Sequence, residues 1–338
     1  MVQVGNDLPM ARPSETVEIA AAELKPLGDL SRVHVFDGER ELLAQTVDID
    51  GRQSLLFQTD LPAKGKRSFE LRSGEPRQYR KEDFRVYGRF VRERFDDFAW
   101  ENDRIAHRMY GQALETWQKE PLTSSAVDVW LKRTRRLVIN DWYMVDDYHH
   151  DHGEGGDFYS AGKSRGCGGS GLWREGKLVV SKNFRQSNVL AAGPIRLVFE
   201  LRYPDVGETK RITLDAGQNF EHFESRYDAG ADAYAAGIKK NKDAVFRAEK
   251  AAGWMRTWEP VVGGIGQFGC AVVLDPAKIV DVTEADGNHI VVARSPASYW
   301  VGVGWDKSGD FGGVDDWDRA VAAWAQRVAS PLRIEVHP

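Results

Sequence analysis

IRLVFELR, residues 195–202, carries an apolar side chain at every second position, and charged side chains occupy most of the positions between. A period of two is that of a β-strand with one face in the core. RITLDAGQNFEHFESRYD, residues 211–228, repeats this rhythm and places His222 and Glu224 opposite Phe223. Such a polar row is a solvent face in most antiparallel sheets, and the alternative is a sheet face that binds a polar ligand.

Short strand-like runs also fill Thr16 to Arg72, each bounded by Gly, Asp or Pro. No helix of ten or more residues separates them, so parallel βαβ units are excluded and residues 1–80 are predicted to form a small antiparallel β module. Residues 231–258 begin with a stretch that is permissive for helix, a helix is predicted from about Val314 to Val328, and a last strand from Leu332 to Val336. We predict a mainly β fold, in which residues 81–338 form one large antiparallel β-sandwich that has a few short helices and carries the site.

Charge and composition exclude several classes of protein. The 46 basic and 51 acidic residues are spread along the chain and leave a net charge of -5, so no nucleic-acid partner is expected. No run of about 18 apolar residues occurs, so no membrane span is expected either. Two cysteines, Cys167 and Cys270, provide no disulfide framework, although a single disulfide between them stays open.

The chain holds eleven tryptophans, which favours a carbohydrate ligand because flat aromatic rings stack on the C–H faces of sugars. The alternative is that tryptophan fills a β-rich core, where it buries a large area. The N-terminus, MVQVGNDLPMARPSE, has no apolar segment typical of a signal peptide. It resembles a mature start exposed by removal of a leader, so a periplasmic or secreted location is expected.

The stretch from Asp146 to Trp173, DDYHHDHGEGGDFYSAGKSRGCGGSGLW, concentrates the residues capable of chemistry. Three of the eight histidines fall within four positions of one another, among several carboxylates. Its many glycines predict a loop, and its aromatic residues predict that the loop is packed against the domain. We interpret it as one wall of an active or binding site.

Two kinds of chemistry suit these residues. His149, His152 and Glu154 are competent metal ligands, so a divalent metal is an open alternative, although their spacing matches no strong signature and no cofactor is required. Histidine beside carboxylate or tyrosine also suits proton transfer near neutral pH. Tyr148, His149, His152 and Glu154 are the candidates there, and Glu101 and Asp103 supply further carboxylates. Taken singly, each residue has a structural alternative, such as capping a turn or neutralising a neighbour.

Three motifs together resemble a family of uncharacterised bacterial proteins encoded among genes for the degradation of polysaccharides, notably pectin and alginate. The motifs are WENDRIAHRMYG (Trp100–Gly111), DYHHDHGEGGDFYSAGKSRGCGG (Asp147–Gly169) and SYWVGVGWDKSGDF (Ser298–Phe311). The resemblance implies a β-sandwich of the large galactose mutarotase-like kind and a role in handling uronate-rich glycans. It points to Glu101, Asn102, Asp103, Arg104, Arg108, Tyr148, His149, His152, Glu154, Asp157, Trp305, Lys307 and Asp310.

The expected function is therefore that of a carbohydrate-active enzyme on uronate-containing oligosaccharides or polysaccharides. β-Elimination by a lyase is favoured, with Tyr148, His149 or His152 as base or acid and Arg104, Arg108 or Lys307 neutralising the substrate carboxylate. Asn102, Asp157, Trp305 and Asp310 are expected to bind substrate. Hydrolysis by paired carboxylates, a mutarotase-like epimerisation and non-catalytic glycan binding are the alternatives.

Overall fold

The computed structural model describes residues 1–118 and 121–337. Its first seven strands are β1 (Val2–Gly5), β2 (Arg12–Ala20), β3 (Val33–Asp37), β4 (Arg40–Leu42), β5 (Ala44–Ile49), β6 (Arg52–Leu61) and β7 (Lys66–Ser73). They are followed by β8 (Val86–Val91), β9 (Asp97–Asn102), β10 (Ala106–Met109), β11 (Asp128–Lys132), helix α1 (Ile139–Val145) and β12 (Gly155–Gly156).

The rest of the chain continues the β pattern almost to its end. It contains β13 (Cys167–Arg174), β14 (Lys177–Val179), β15 (Gln186–Ala192), β16 (Arg196–Tyr203), β17 (Glu208–Asp215), β18 (Phe220–Tyr227), β19 (Ala233–Lys239), β20 (Val245–Glu249), β21 (Trp254–Pro260), β22 (Gln267–Val273), β23 (Ile279–Ala285), β24 (Asn288–Arg294), β25 (Ala297–Trp305), helix α2 (Val314–Ala329) and β26 (Arg333–Val336). In the described ranges, neither helix is long and apolar enough to cross a membrane.

The N-terminal module consists of two sheets, in the orders β26-β1-β7-β3-β4 and β2-β6-β5. Its strands enclose a small apolar core of their own. The last strand, β26, pairs antiparallel with β1, so both ends of the chain meet in this module. The side chain of Gln45 ties the module to the main domain, since its amide bonds the backbone of Ile195 and Arg196 at 2.8 to 3.0 Å.

The main domain is a sandwich. Its largest layer is an eight-stranded sheet, β15-β16-β17-β18-β25-β22-β21-β20. The facing layer consists of two five-stranded sheets, β12-β11-β10-β9-β8 and β14-β13-β19-β24-β23, which a bridge between Val127 and Gly166 links. Apolar side chains of all three sheets form one buried core. The prediction of a mainly β fold built on a large antiparallel sandwich is thereby confirmed.

Helix α2 covers part of the outer face of the eight-stranded sheet, within a residue of its predicted bounds. Trp317, Val321 and Ala325 lie on its buried stripe, at the spacing that places side chains on one helical face. They pack against Phe220 and Trp254 of the sheet. Because these aromatic residues occupy a second core, part of the tryptophan content is structural, as the alternative interpretation proposed.

Two local predictions are wrong. Residues 233–239 and 245–249 are strands rather than helix, because pairing with β24 and β21 prevails over a permissive local sequence. The Gly-rich loop ends earlier than predicted, since Cys167–Arg174 is the strand β13. Its glycines permit close packing: a Cβ on Gly168 would lie 2.3 Å from Val301 of the facing sheet.

We expect Gly168→Ala to lower the free energy of unfolding by about 2 to 3 kcal/mol, because the new methyl group overpacks the core and the residue has φ +91°. Gly176→Ala is the matched control: φ there is +73°, but no atom lies within 4 Å of the added Cβ. It is expected to cost about 1 kcal/mol from backbone strain alone. Denaturant unfolding measures both, and equal losses would show that the contact with Val301 is not tight.

A buried polar cluster in the sandwich predicts an unusual pH dependence of stability. The indole of Trp100 donates to Glu221 at 2.6 Å, and His107 lies 3.3 Å from the other oxygen of that carboxyl. Burial raises the pKa of Glu221 to about 8 and lowers the pKa of His107 to about 3. At neutral pH the folded protein therefore holds a proton on Glu221 that the unfolded chain has released.

As the pH rises from 5 to 8, ionisation of Glu221 is expected to lower the free energy of unfolding by roughly 3 to 4 kcal/mol, because the pKa of Glu221 is higher in the folded than in the unfolded protein. In Glu221→Gln the amide cannot ionise, so the variant is expected to gain that amount over the wild type at pH 8 and little at pH 5. Unfolding of both proteins across this range measures the difference. If the free energies of unfolding of the two proteins change with pH in parallel, Glu221 is ionised in the folded state.

Candidate functional site

A cleft of about 450 Å³ opens beside β10 and β11, below the loop that joins α1 to β13. One side of the cleft is formed by that loop and the other by the turn after β21. The lining residues are Arg94, Arg108, Tyr110, Leu114, Leu122, Asp128, His149, Asp157, Phe158, Tyr159, Ser160, Ala161, Gly162, Val262 and Gly263. We call it the Arg108 cleft. The structure therefore brings Arg108, His149 and Asp157, three of the predicted residues, into one site.

Arg108 lies at the centre of the cleft floor and holds two carboxylates. Its Nε donates to Asp128 at 2.9 Å and its Nη2 to Asp157 at 2.8 Å, while Asp97 lies 3.8 Å from its Nη1. Arg108 and Asp128 face one another on paired strands, and Asp157 enters from the loop. All four side chains are almost fully buried. The guanidinium of Arg108 thus faces three acids where water screens little, and Arg94 is the next cation to act on Asp97 and Asp157.

This imbalance keeps a proton in the cluster. Burial raises the pKa of Asp97 to about 7, against the opposing effect of Arg108. Burial also raises the pKa of Asp157 well above its ordinary value, and the neighbouring Asp128 adds to that effect. One oxygen of Asp157, Oδ1, is buried without a hydrogen-bond partner in the described structure. Asp157 is therefore suited to give a proton to a bound group near neutral pH.

His149 lies at the mouth of the cleft, where 59% of its side chain is exposed. Its Nδ1 lies 3.0 Å from the backbone carbonyl oxygen of Asp157. Because a carbonyl oxygen only accepts, Nδ1 carries the proton in this contact and Nε2 of the neutral ring keeps its lone pair. The arrangement presents a base at the edge of the cleft.

Arg94 provides a guanidinium that no described carboxylate pairs with. Its Nε donates to the hydroxyl of Tyr148 at 2.8 Å, and its plane packs over the rings of Phe95 and Trp117. Its Nη1 is buried and, among residues 1–118 and 121–337, has no hydrogen-bond partner. Arg94 is therefore positioned to bind an anionic group. Tyr148, a predicted acid or base, is stacked on Trp130 and holds Arg94 in place.

The remaining charged residues of the loop face another way. His150 and His152 both bond the carboxylate of Asp147, and Glu154 forms an ion pair with Arg136. The three proposed metal ligands, His149, His152 and Glu154, are thus not brought together. Within the described ranges, no group of three or more His, Cys, Asp or Glu side chains is placed to hold a metal ion.

Glu101 and Asn102 organise the backbone around the site. Glu101 is fully buried, accepts from Lys132 at 2.6 Å, and accepts the N–H groups of Val138 and Ile139 at the start of α1. The side-chain oxygen of Asn102 accepts the N–H groups of Arg104 and Ile105 in the turn between β9 and β10, and its amide nitrogen donates to the carbonyl oxygens of Asp215 and Gln218. In this geometry neither side chain reaches the cleft.

The other predicted binding residues also lie outside the Arg108 cleft. Arg104 pairs with Asp310, and Asp103 accepts the N–H of Gly217 at 2.6 Å. Trp305 is 2% exposed beneath the loop, with the guanidinium of Arg133 4.9 Å from its ring, so it offers no free face to a sugar. Lys307 is half exposed and its nearest acid is Asp306, at 3.8 Å.

Sequence reasoning missed Arg94, Asp97, Tyr110 and Asp128. One signal points to Asp97 and Asp128: each carboxylate begins a strand and is followed directly by three apolar or aromatic residues, where a buried charge needs a partner. Tyr110 donates to Asp128 at 3.0 Å, and burial raises the pKa of its phenol well above the ordinary value. Arg94 leaves no such signal, since it stands in a charged segment.

These observations define a large antiparallel β-sandwich in which Arg94, Arg108, His149 and Asp157 line one cleft. A family model described as "Domain of unknown function (DUF4861)" matches residues 4–334, and the chain belongs to that family. This confirms the resemblance drawn from the three motifs. The chain is also 30% identical to "Uncharacterized protein P7" of Formosa agariphila over 372 residues, which cover 99% of this chain and 93% of that protein.

Two solved structures have a similar fold. An alpha-mannosidase from Enterococcus faecalis matches all of this chain with a TM-score of 0.51 at 10% identity. A protein in glycosyl hydrolase family 38 from the same organism matches with a TM-score of 0.49, also at 10% identity. The chain spans 46% and 47% of those two structures, which is less than half of either. At this identity, the likeness concerns the fold.

Proposed function

We propose that the protein is a carbohydrate-active enzyme that cleaves uronate-containing glycans by β-elimination in the Arg108 cleft. The observation that carries the proposal is the placement of Arg94, His149 and Asp157 around one cleft. Each of the three has an atom without a hydrogen-bond partner in the described part of the chain: Nη1 of Arg94, Nε2 of His149 and Oδ1 of Asp157. Elimination from a uronate requires a cation, a base and an acid, and these three residues supply them.

The reaction follows from those atoms. Arg94 binds the carboxylate of the uronate and stabilises the negative charge that develops on it as C5 loses its proton. The Nε2 of His149 takes that proton. The C4–O bond then breaks, a C4=C5 double bond forms, and the protonated Asp157 gives its proton to the leaving oxygen. No water is consumed, and the cycle closes when His149 releases its proton to solvent and Asp157 takes one up.

Hydrolysis is less well supported because it needs a second carboxylate with a free oxygen. Asp128, the neighbouring acid in the cleft, is 1% exposed. Its Oδ2 accepts from both Arg108 and Tyr110, and its Oδ1 accepts the N–H of Val129 at 2.9 Å. Both of its oxygens are therefore occupied. Arg108 also has an Nη1 without a hydrogen-bond partner in the described ranges, but its Nε and Nη2 are held by Asp128 and Asp157. Arg94 pairs with no described carboxylate and is therefore the cation proposed for the substrate.

The test is incubation of the purified protein with a panel of uronate oligosaccharides, read by mass and by ultraviolet absorbance together. Elimination gives fragments whose masses add up to that of the substrate and whose new double bond absorbs. Hydrolysis adds one water to that sum and gives no absorbance. Reduction of the substrate carboxylate to an alcohol is expected to abolish elimination, because Arg94 then has no anion to bind. Unchanged masses across the panel would reject both reactions.

A periplasmic or secreted location is part of the proposal, since glycans of this kind are met outside the cytoplasm. Fractionation of cells expressing the native gene, followed by detection of the protein with an antibody, tests it. Recovery with the periplasm or the medium is expected. Recovery in the cytoplasmic fraction would contradict this part of the proposal without affecting the chemistry.

A further inference from the structure

A second cleft, of about 400 Å³, lies where the N-terminal module, α2 and the outer face of the eight-stranded sheet meet. It shares no lining residue with the Arg108 cleft. Its floor includes His222 and Glu224, the polar row on β18 that alternates with core residues in the sequence. We call it the module cleft. The polar side chains of His222 and Glu224 thus border a concave site, which is one of the two interpretations of the alternating sequence.

Aromatic rings form one wall of the module cleft. Trp300 of β25 stacks on His222 with ring centroids 4.6 Å apart, and Trp324 of α2 meets Trp300 edge-on at 5.2 Å. Both tryptophans remain partly exposed. An apolar ring surface of this kind suits the C–H face of a pyranose.

Polar atoms without partners lie beside that wall. The indole Nε1 of Trp324, the Nε of Arg327 and one oxygen of Glu15 are buried and make no hydrogen bond in the described part of the chain. That oxygen of Glu15, Oε2, lies 3.4 Å from Nη1 of Arg327 in an ion pair. Buried polar groups are normally satisfied, so two donors in a single cleft, beside an acceptor held only by an ion pair, are suited to bind a ligand. Hydroxyl groups match them, because each hydroxyl both donates and accepts.

The charges of the lining favour a neutral ligand. Four carboxylates border the module cleft, those of Glu15, Glu18, Asp215 and Glu224, against the two guanidiniums of Arg196 and Arg327. Arg196 is already bound by Asp215 and Glu18 at 2.6 to 2.8 Å. Burial lowers the pKa of His222, so this ring adds no positive charge near neutral pH. An anionic sugar would therefore meet net repulsion here.

We propose that the module cleft binds a neutral pyranose unit of a glycan, with the sugar against Trp300 and its hydroxyls bonded to Glu15, Trp324 and Arg327. This binding does not depend on the reaction proposed for the Arg108 cleft. It gives the protein a second contact with a glycan chain, and that contact selects for an uncharged residue.

The experiment is saturation-transfer NMR with the full chain and four probes: the methyl β-pyranosides of glucose, galactose and xylose, and the methyl β-glucuronide. At least one neutral probe is expected to bind. Thr213→Trp, which fills the module cleft from β17 and removes no packing group, is expected to weaken that binding at least tenfold, as is Trp300→Ala. Any binding of the glucuronide is expected to persist in Thr213→Trp, because it belongs to the Arg108 cleft.

Thermal unfolding and circular dichroism show whether each variant is folded. If Thr213→Trp does not fold, the binding result for Trp300→Ala decides the test. The proposal is overturned if no neutral probe binds. It is equally overturned if neutral binding survives the folded cleft variant, or if that variant abolishes binding of the glucuronide. Failure of the elimination assay leaves this result unaffected, because binding here is measured without turnover.

Discussion

His149→Ala is expected to reduce kcat on uronate oligosaccharides by about 10² to 10⁴-fold, because the variant lacks the base that takes the C5 proton. KM is expected to change little, since Arg94 still binds the substrate carboxylate. The imidazole is largely exposed, and its contacts are limited to Asp157 and the ring of Tyr148, so the fold should not change. The initial rate of absorbance increase measures the effect.

His150→Ala is the matched control for this variant. His150 adjoins His149 in the sequence and is 75% exposed, but it bonds Asp147 on the other side of the loop. Its activity is expected to stay within twofold of the wild type. Full turnover in His149→Ala, or an equal loss in both variants, would remove His149 from the role of base.

Lys132→Met is expected to lower the free energy of unfolding by about 3 to 5 kcal/mol, because it leaves the carboxylate of Glu101 buried without its ion-pair partner. Both side chains are fully buried, and the ammonium also donates to the carbonyl oxygen of Asn102 at 2.7 Å. The loss is expected to loosen the start of α1 as well, since Glu101 holds that backbone. Denaturant unfolding at neutral pH measures the change.

Two comparisons separate this ion pair from a general effect of losing a lysine. Lys177→Met, at an exposed position of β14, is expected to change stability by less than about 0.5 kcal/mol. Adding Glu101→Gln to Lys132→Met is expected to recover part of the loss, because no buried charge then remains uncompensated. A double variant whose loss equals the sum of the two single losses would show that the pair is not coupled.

Much of the fold follows from local pattern. The alternation in IRLVFELR is that of β16, whose apolar positions are buried in the sandwich. The stripe from Trp317 to Ala325 is that of α2. Pairing between distant segments cannot be predicted from such local patterns. β26 pairs with β1 from the other end of the chain, and residues 233–239 form a strand because β13 and β24 flank them. The glycines of β13 made this strand hard to predict, because glycine is uncommon in strands. At Gly168 it permits close packing against Val301.

The site was predictable only in part, for a similar reason. The concentration of histidines and acids marked a loop that borders the Arg108 cleft, where Asp157 contacts both Arg108 and His149. Sequence spacing alone does not show that His149 faces the cleft while His150 and His152 face Asp147. Nor does it show that Glu101 is fully occupied by Lys132 and the start of α1. Arg94 becomes a candidate only when its free nitrogen is seen beside the cleft.

The most direct test of the central claim is a crystal structure of His149→Ala with a uronate trisaccharide, a variant in which the substrate should persist. We expect the sugar in the Arg108 cleft, with its carboxylate within hydrogen-bonding distance of Arg94 and the bridging oxygen at C4 beside Asp157. A trisaccharide bound elsewhere on the protein, with the Arg108 cleft empty, would contradict the account.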